Sequence, residues 1–381
     1  MIALSVCASI ISCSKDDILV PVSTEPTEQT VFMYMPWSSN LTSYFETNIN
    51  DFENAIKRKA SENERVVVFF ASSKNKATLF EMRYFNGEVI RRELKSYNVS
   101  TFTTANDIAT LINDVKSLAP AKRYAMIVSC HGMGWLPVVS SKARDTEQKD
   151  YWEYEGALLT RYFGGLSPEY QIDITVFAEG IAASETKMEY ILFDDCYLAN
   201  VEVAYDLKEV TDYLIASPTE VMAFGFPYNE IGGYLLGDVD YKAIVQEFYS
   251  FYNSFQHPYG TIGVISCQEV DHMANIMQQI NSSHTFSSNV NSLQRMDGYT
   301  PIIFFDFGDY VNNLCDDPNL LNRFHSQLEK LVPYSANTKE FYSMSRGSIS
   351  VDHYSGITIS DPSLNSKAIT KTETAWYKAT H

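Results

Sequence analysis

Three short runs constrain the fold more than anything else in the chain: "ERVVVFFAS" at 64–72, "RYAMIVSC" at 123–130 and "MEYILFDDC" at 188–196. Each is apolar on successive residues, without the alternation of a strand that has one wet face. Such runs belong to strands covered on both sides. Between them lie segments with apolar residues at helical spacing, "SSNLTSYFETNINDFENAIKRKA" and "TANDIATLINDVKSLAP", the second stopped by Pro120. "TVFMYMPW" (30–37) and "TDYLIASP" read as further strands, and Asn86-Gly87 between two β-rich runs predicts an edge hairpin over 77–94. Strands alternating with helices predict an α/β protein whose sheet is mainly parallel and covered on both faces.

The pattern assigns 30–230 to a core. Residues 138–165 are polar and weakly periodic, and are expected as an excursion above the sheet. Residues 231–381 carry helical stretches ("KAIVQEFYSFYNSF", "HMANIMQQINSSH") and strand-like starts ("YGTIGVISC", "YTPIIFFDFGDYV", "YSGITISDP"), expected to form a C-terminal part packed on that core. With 381 residues and 45% hydrophobic composition there is enough for a thick core, and a monomer is the expected state. A formal charge of −18 repels nucleic acid and anionic lipid heads and favours cationic ligands such as peptides bearing Lys or Arg.

The six cysteines include no C-x-x-C pair, and the histidines have no metal-ligand spacing. No phosphate-cradling glycine loop occurs. The reading therefore requires no cofactor and assigns no metal. Two of the cysteines lie in "MIALSVCASIISCSKDD", which resembles the end of a bacterial lipoprotein signal. Residues 1–12 would then be a signal remnant, Cys13 the lipidated residue, and 13–29, rich in Ser, Thr, Pro and Glu, a flexible tether. The "CSKDD" start is similar to lipoproteins of Bacteroides-like bacteria, which implies the outer membrane or cell surface, with membrane contact through the lipid alone. An ordinary apolar N-terminus is the alternative.

In a parallel sheet ligands gather beyond the carboxyl ends of the strands. His131 follows the run ending at Cys130, and Cys196 follows the run ending near Phe193, so both are expected on one edge. A thiol at the start of a following helix would be favoured as thiolate, and a nearby imidazole can carry its proton. Gly132, with no side chain, can offer its N–H beside that of Cys196 to an oxyanion. Taken singly, a strand-end Cys is more often a small core residue and a His-Gly pair more often a turn.

Together, "YAMIVSCHGMGW" and "YILFDDCYLANVEVAYDL" resemble the His-Gly and Asp-x-Cys motifs of the clostripain family of cysteine peptidases, relatives of caspases and gingipains. The likeness extends over roughly 30–230. It implies a caspase-like three-layer α/β/α fold and peptide hydrolysis through a His131/Cys196 dyad. It also implies an S1 pocket in which Asp194 pairs with a basic side chain, with Glu220 of "SPTEVM" either sharing the pocket or serving as a plain loop acid. A carboxylate at the base of a narrow pocket suits Arg, which it can bind in a bidentate way. Self-cleavage in some relatives makes Lys142, Arg144 and Lys149 candidate processing sites, or ordinary surface charges, and the one cofactor the resemblance implies is calcium.

Two departures stand out. The residue before the cysteine, usually small in the family, is Asp195, which would raise the thiol pKa if it faced inward. "TEVMAFGFPY" stands where relatives carry a more acidic loop. These keep open a rival reading, a non-catalytic envelope lipoprotein that binds peptides or a protein partner.

Overall fold

The computed structural model describes residues 25–38, 40–98, 101–138, 170–287 and 289–381. Strand β1 (Thr27–Met35) leads into helix α1 (Thr42–Lys59), whose last turn carries Lys57, Arg58 and Lys59, the charge that suits a helix C-terminus. Strand β2 (Glu64–Ser73) is followed by β3 (Lys76–Phe85) and β4 (Glu88–Tyr97). Asn86 and Gly87 join the last two with φ of 51° and 90°, the left-handed backbone that a two-residue hairpin needs. Helix α2 (Ala105–Leu118) starts on a capping box in which Thr104 and Asp107 satisfy each other's backbone N–H, and β5 (Ala121–Val128) follows directly.

Among the described residues the chain resumes with α3 (Ile174–Ala183), β6 (Met188–Phe193), α4 (Val201–Leu207), β7 (Thr211–Ala216), α5 (Tyr228–Ile231), α6 (Tyr241–Asn253), β8 (Thr261–Ser266) and α7 (Val270–Ser283). A two-residue strand β9 (Phe305–Asp306) precedes α8 (Phe307–Leu314), α9 (Pro318–Leu331) and β10 (Tyr334–Asn337). The strands β11 (Glu340–Ser343), β12 (Gly347–Ser350) and β13 (Thr358–Ile359) and the helix α10 (Ala375–Thr380) complete it.

Nine strands form one sheet in the order β10-β8-β7-β6-β5-β1-β2-β3-β4. Its centre, β7-β6-β5-β1-β2, is parallel, and both ends are antiparallel. Growth from β1 goes first to β2 on one side and later to β5, β6 and β7 on the other, so right-handed crossovers place helices on both faces. Accordingly α1 packs on α5 and α5 on α6, while α2, α3, α4 and α7 form a second set, extended by α9 and α10. The reversal of direction lies between β1 and β5, where such sheets open a crevice at the carboxyl ends.

The boundary expected at residue 230 does not divide the sheet. All six residues of β8 are buried, and a strand buried on both faces has to pair within the main sheet, which β8 does beside β7, followed by β10. The strand-like run 299–311 contributes only β9 before turning helical, because Asp306 caps α8 by accepting the Asp309 N–H at 3.0 Å.

Candidate active site

Val128 at the end of β5 sits opposite Phe193 at the end of β6, and the Asp194 N–H donates to the Val128 carbonyl at 2.8 Å. Ser129-Cys130-His131 and Asp194-Asp195-Cys196 therefore leave neighbouring strands at one level. Gly132 is packed into the cysteine turn: a methyl group there would lie 2.4 Å from the Cys196 carbonyl oxygen and 2.9 Å from the Asp195 Cβ. His131 and Cys196 are thus brought to one edge, as the sequence predicts.

The expected helix start at the cysteine is corrected. Cys196 lies in a turn, and α4 begins only at Val201, with Asn200 as its cap accepting the Val203 N–H at 3.0 Å. The intervening N–H groups of Tyr197 and Ala199 pair with the carbonyls of Thr219 and Ser217 beyond β7, which holds the segment extended. The helix-end effect fades within a turn, so α4 lends the thiol little. Tyr197 instead adopts φ 63°, an uncommon conformation for a residue with a Cβ, and this bends the chain at the cysteine.

Cys196 is fully buried, and its Sγ accepts the Val221 N–H at 3.2 Å. His131 is 2% exposed, and its Nε2 meets Asn40 Oδ1 at 2.8 Å. The two acids diverge, as strand alternation requires. Asp194, fully buried, accepts from the Phe226 N–H at 3.0 Å and the Tyr228 hydroxyl at 2.9 Å, with the Ser129 hydroxyl at 3.4 Å. Asp195 turns to residue 130, accepting from the Cys130 N–H and, at 3.5 Å, from its thiol.

Glu220 is directed at the cysteine turn and the C-terminal part. It accepts from the Tyr197 hydroxyl at 2.8 Å, the Ser343 hydroxyl at 2.5 Å and the Met344 N–H at 3.0 Å. Tyr197 stacks on Phe304, with ring centroids 5.1 Å apart, and the loop bearing Phe304 closes on Asp297, which takes the N–H groups of Tyr299, Ile303 and Phe304. Burial pushes the Asp297 carboxyl up to about 7 against those bonds. Burial, then the Glu220 and Asp297 carboxylates, hold the Tyr197 phenol well above its ordinary value, so it stays a donor. Trp135 is buried and donates to the Ser360 hydroxyl at 2.9 Å, a packing role.

Sequence reasoning missed Asn40, Tyr228 and the Ser343-Met344 turn. Only Asn40 carried a signal, its place just after the strand that neighbours β5. Cys13, Lys142, Arg144 and Lys149 lie outside the described residues. Among the described residues no group of three His, Cys, Asp or Glu side chains could hold a metal ion, and no helix is long and apolar enough to cross a membrane.

The family model described as the clostripain family, Peptidase C11, matches residues 33–349. No curated protein matches. Among solved structures, a secreted C11 cysteine protease from Bacteroides thetaiotaomicron, "iotapain", is 54% identical over 94% of this chain and 100% of its own, with a TM-score of 0.86. A clostripain from the same species in complex with the peptide inhibitor BTN-VLTK-AOMK is 59% identical over 58% of this chain and 99% of its own, with a TM-score of 0.56. An inactive zymogen C11 protease from Parabacteroides distasonis is 27% identical over 94% of this chain and 99% of its own, with a TM-score of 0.77. With its caspase-like sheet and its His-Gly and Asp-x-Cys segments meeting on one edge, the chain belongs to the clostripain family of cysteine peptidases.

Proposed function

We propose that this cysteine peptidase is an endopeptidase that cuts after Lys or Arg, with Cys196 as nucleophile and His131 as proton carrier. The observation that carries the reading is the seating of Gly132 on the Cys196 carbonyl, which puts imidazole, thiol and two backbone N–H groups on adjacent strand ends. The Cys196 thiolate attacks the scissile carbonyl, and the N–H groups of Gly132 and Cys196 receive the oxyanion. His131 delivers the proton to the departing amine, leaving a thioester that water then hydrolyses.

Support for a basic P1 residue comes from Asp194 at the strand end beside Cys196 and from the relative whose inhibitor sequence VLTK ends in lysine. A substrate cation would join or displace the Tyr228 and Phe226 donors at the Asp194 carboxylate. Glu220, engaged by three other groups, is better suited to hold the cysteine turn than to bind substrate.

The full burial of Cys196 suits a latent chain, with cleavage at Lys142, Arg144 or Lys149 as the proposed activating step. Lipid attachment at Cys13 would keep the enzyme on the cell envelope, whereas the 54% identical relative is described as secreted.

The test is turnover of fluorogenic peptides ending in Arg, Lys or neutral residues, with and without calcium, by wild type, Cys196→Ala, His131→Ala and Asp194→Asn. Loss of all turnover in the first two variants, and selective loss on basic substrates in the third, is expected. Wild-type protein inert under reducing conditions after limited proteolysis would instead favour a peptide-binding lipoprotein.

A further inference from the structure

The switch point between β1 and β5 brings a residue to His131 from a distant part of the chain. Pro36, Trp37 and Ser38 leave β1 beside the end of β5, where the Ser129 N–H donates to the Tyr34 carbonyl at 3.0 Å, and Asn40 and Leu41 stand in a turn before α1. From that turn Asn40 presents Oδ1 to His131 Nε2 at 2.8 Å. The same Oδ1 accepts from the Ser38 hydroxyl at 3.1 Å. Ser38 is fully buried, and its carbonyl takes the Thr42 hydroxyl at 2.8 Å and the Leu41 N–H at 3.3 Å, so the turn bearing Asn40 is tied to the start of α1. Asn40 itself is exposed and fills no space in the core.

We propose that Asn40 is a positioning residue for the reaction, holding His131 as its Nε2–H tautomer with Nδ1 turned to the proton transfer. The inference rests on the His131/Cys196 dyad proposed above. An amide oxygen only accepts, so the nitrogen it meets has to carry hydrogen. The other ring nitrogen then takes and delivers the proton, and the plane of the ring is fixed by a group anchored to a different strand. Because the partner is a neutral amide, it orients the ring without the strong bias toward imidazolium that a carboxylate would impose.

The experiment uses Asn40→Ala and the isosteric Asn40→Asp beside Cys196→Ala and His131→Ala, all in the full chain. Thermal melts, kcat and KM on one peptide, and the pH profile of Cys196 alkylation by iodoacetamide are measured. Asn40→Ala should keep its melting temperature and KM while kcat falls on the order of 10- to 100-fold, a part of the roughly 100- to 10,000-fold that a positioned proton transfer supplies. Asn40→Asp should retain more activity than Asn40→Ala, and its His131-controlled limb should move up by about one pH unit, since a carboxylate beside an imidazole favours its charged form. Cys130 on the same strand end, and Asp195 and Cys196 on the adjoining one, are the titratable groups that share this edge with His131, and they are unchanged in both Asn40 variants. If Asn40→Ala does not fold, the shift in Asn40→Asp carries the test alone.

Loss of activity in His131→Ala together with an unshifted limb in Asn40→Asp overturns the role of Asn40 and leaves the dyad standing. Full activity in His131→Ala removes the dyad, and the role of Asn40 with it.

Discussion

The backbone of Gly132 faces the carbonyl of Cys196 so closely that one added methyl group would lie 2.4 Å from that oxygen and 2.2 Å from Leu198 Cδ2. The leucine methyl can turn aside, but the carbonyl is the backbone of Cys196 itself and cannot yield that far without moving the residue that carries the sulfur. Gly132→Ala should therefore fold with a lowered melting temperature and lose about 100-fold or more in kcat, the scale of misplacing a reacting group by an ångström. Steady-state kinetics and a melt check this, and near-normal turnover would show that the two segments separate in the working enzyme.

Glu220 gathers three buried donors from two distant segments. Glu220→Ala leaves the Met344 N–H and the Tyr197 and Ser343 hydroxyls without this acceptor, at a cost of about 2–4 kcal/mol. Ser343→Ala removes one donor and should cost about 1 kcal/mol. Urea unfolding of both variants gives the comparison, and equal stabilities would deny the clasp.

Lys371 and Glu202 form an ion pair at 3.0 Å with side chains 3% and 0% exposed. Lys371 also donates to the Ser360 carbonyl, and Glu202 accepts the Ser360 N–H at 3.1 Å. Lys371→Met should cost about 3–5 kcal/mol by stranding a buried carboxylate, while Lys371→Met with Glu202→Leu should recover part of that loss. Calorimetry of the single and double variants tests the order, which a surface pair would not produce.

Asp206 is pushed up to about 6, first by burial and then by Glu202 one helical turn earlier, with Lys378 pulling the other way. Its folded value lies above the unfolded one, near 4. The native state therefore holds a proton that the unfolded chain releases, and this contribution to stability is complete below about pH 4 and is lost as pH rises through about 6. Asp206→Asn stays neutral throughout. It should gain on wild type by about 1 kcal/mol between pH 4.5 and 7.5, read from melts at the two pH values. A constant difference between the proteins would contradict the shift.

Much of this architecture is written locally. The stretches Tyr124–Val128 and Tyr190–Phe193 are apolar on every residue because both faces are covered, and that alone places His131 and Cys196 on one edge. The segment after the cysteine reads as helix because Tyr197, Leu198 and Ala199 suit a helix as well as an extended chain. Their conformation is decided by carbonyls of Ser217 and Thr219, which leave no mark in the local pattern. The surroundings of Asp194 are hidden for the same reason, its donors lying 32 and 34 positions away, in the loop after β7 and at the start of α5. Asn40, 91 positions from His131, is visible only once the strand order is known.

The clasp on the cysteine turn also imposes an order in time. Ser343 and Met344 lie 123 and 124 positions beyond Glu220, so a chain emerging N-terminus first presents its imidazole and thiol long before the residues that steady them exist. The cysteine turn thus takes its final hold only when residues 343 and 344 are in place, a step that comes before any activating cleavage.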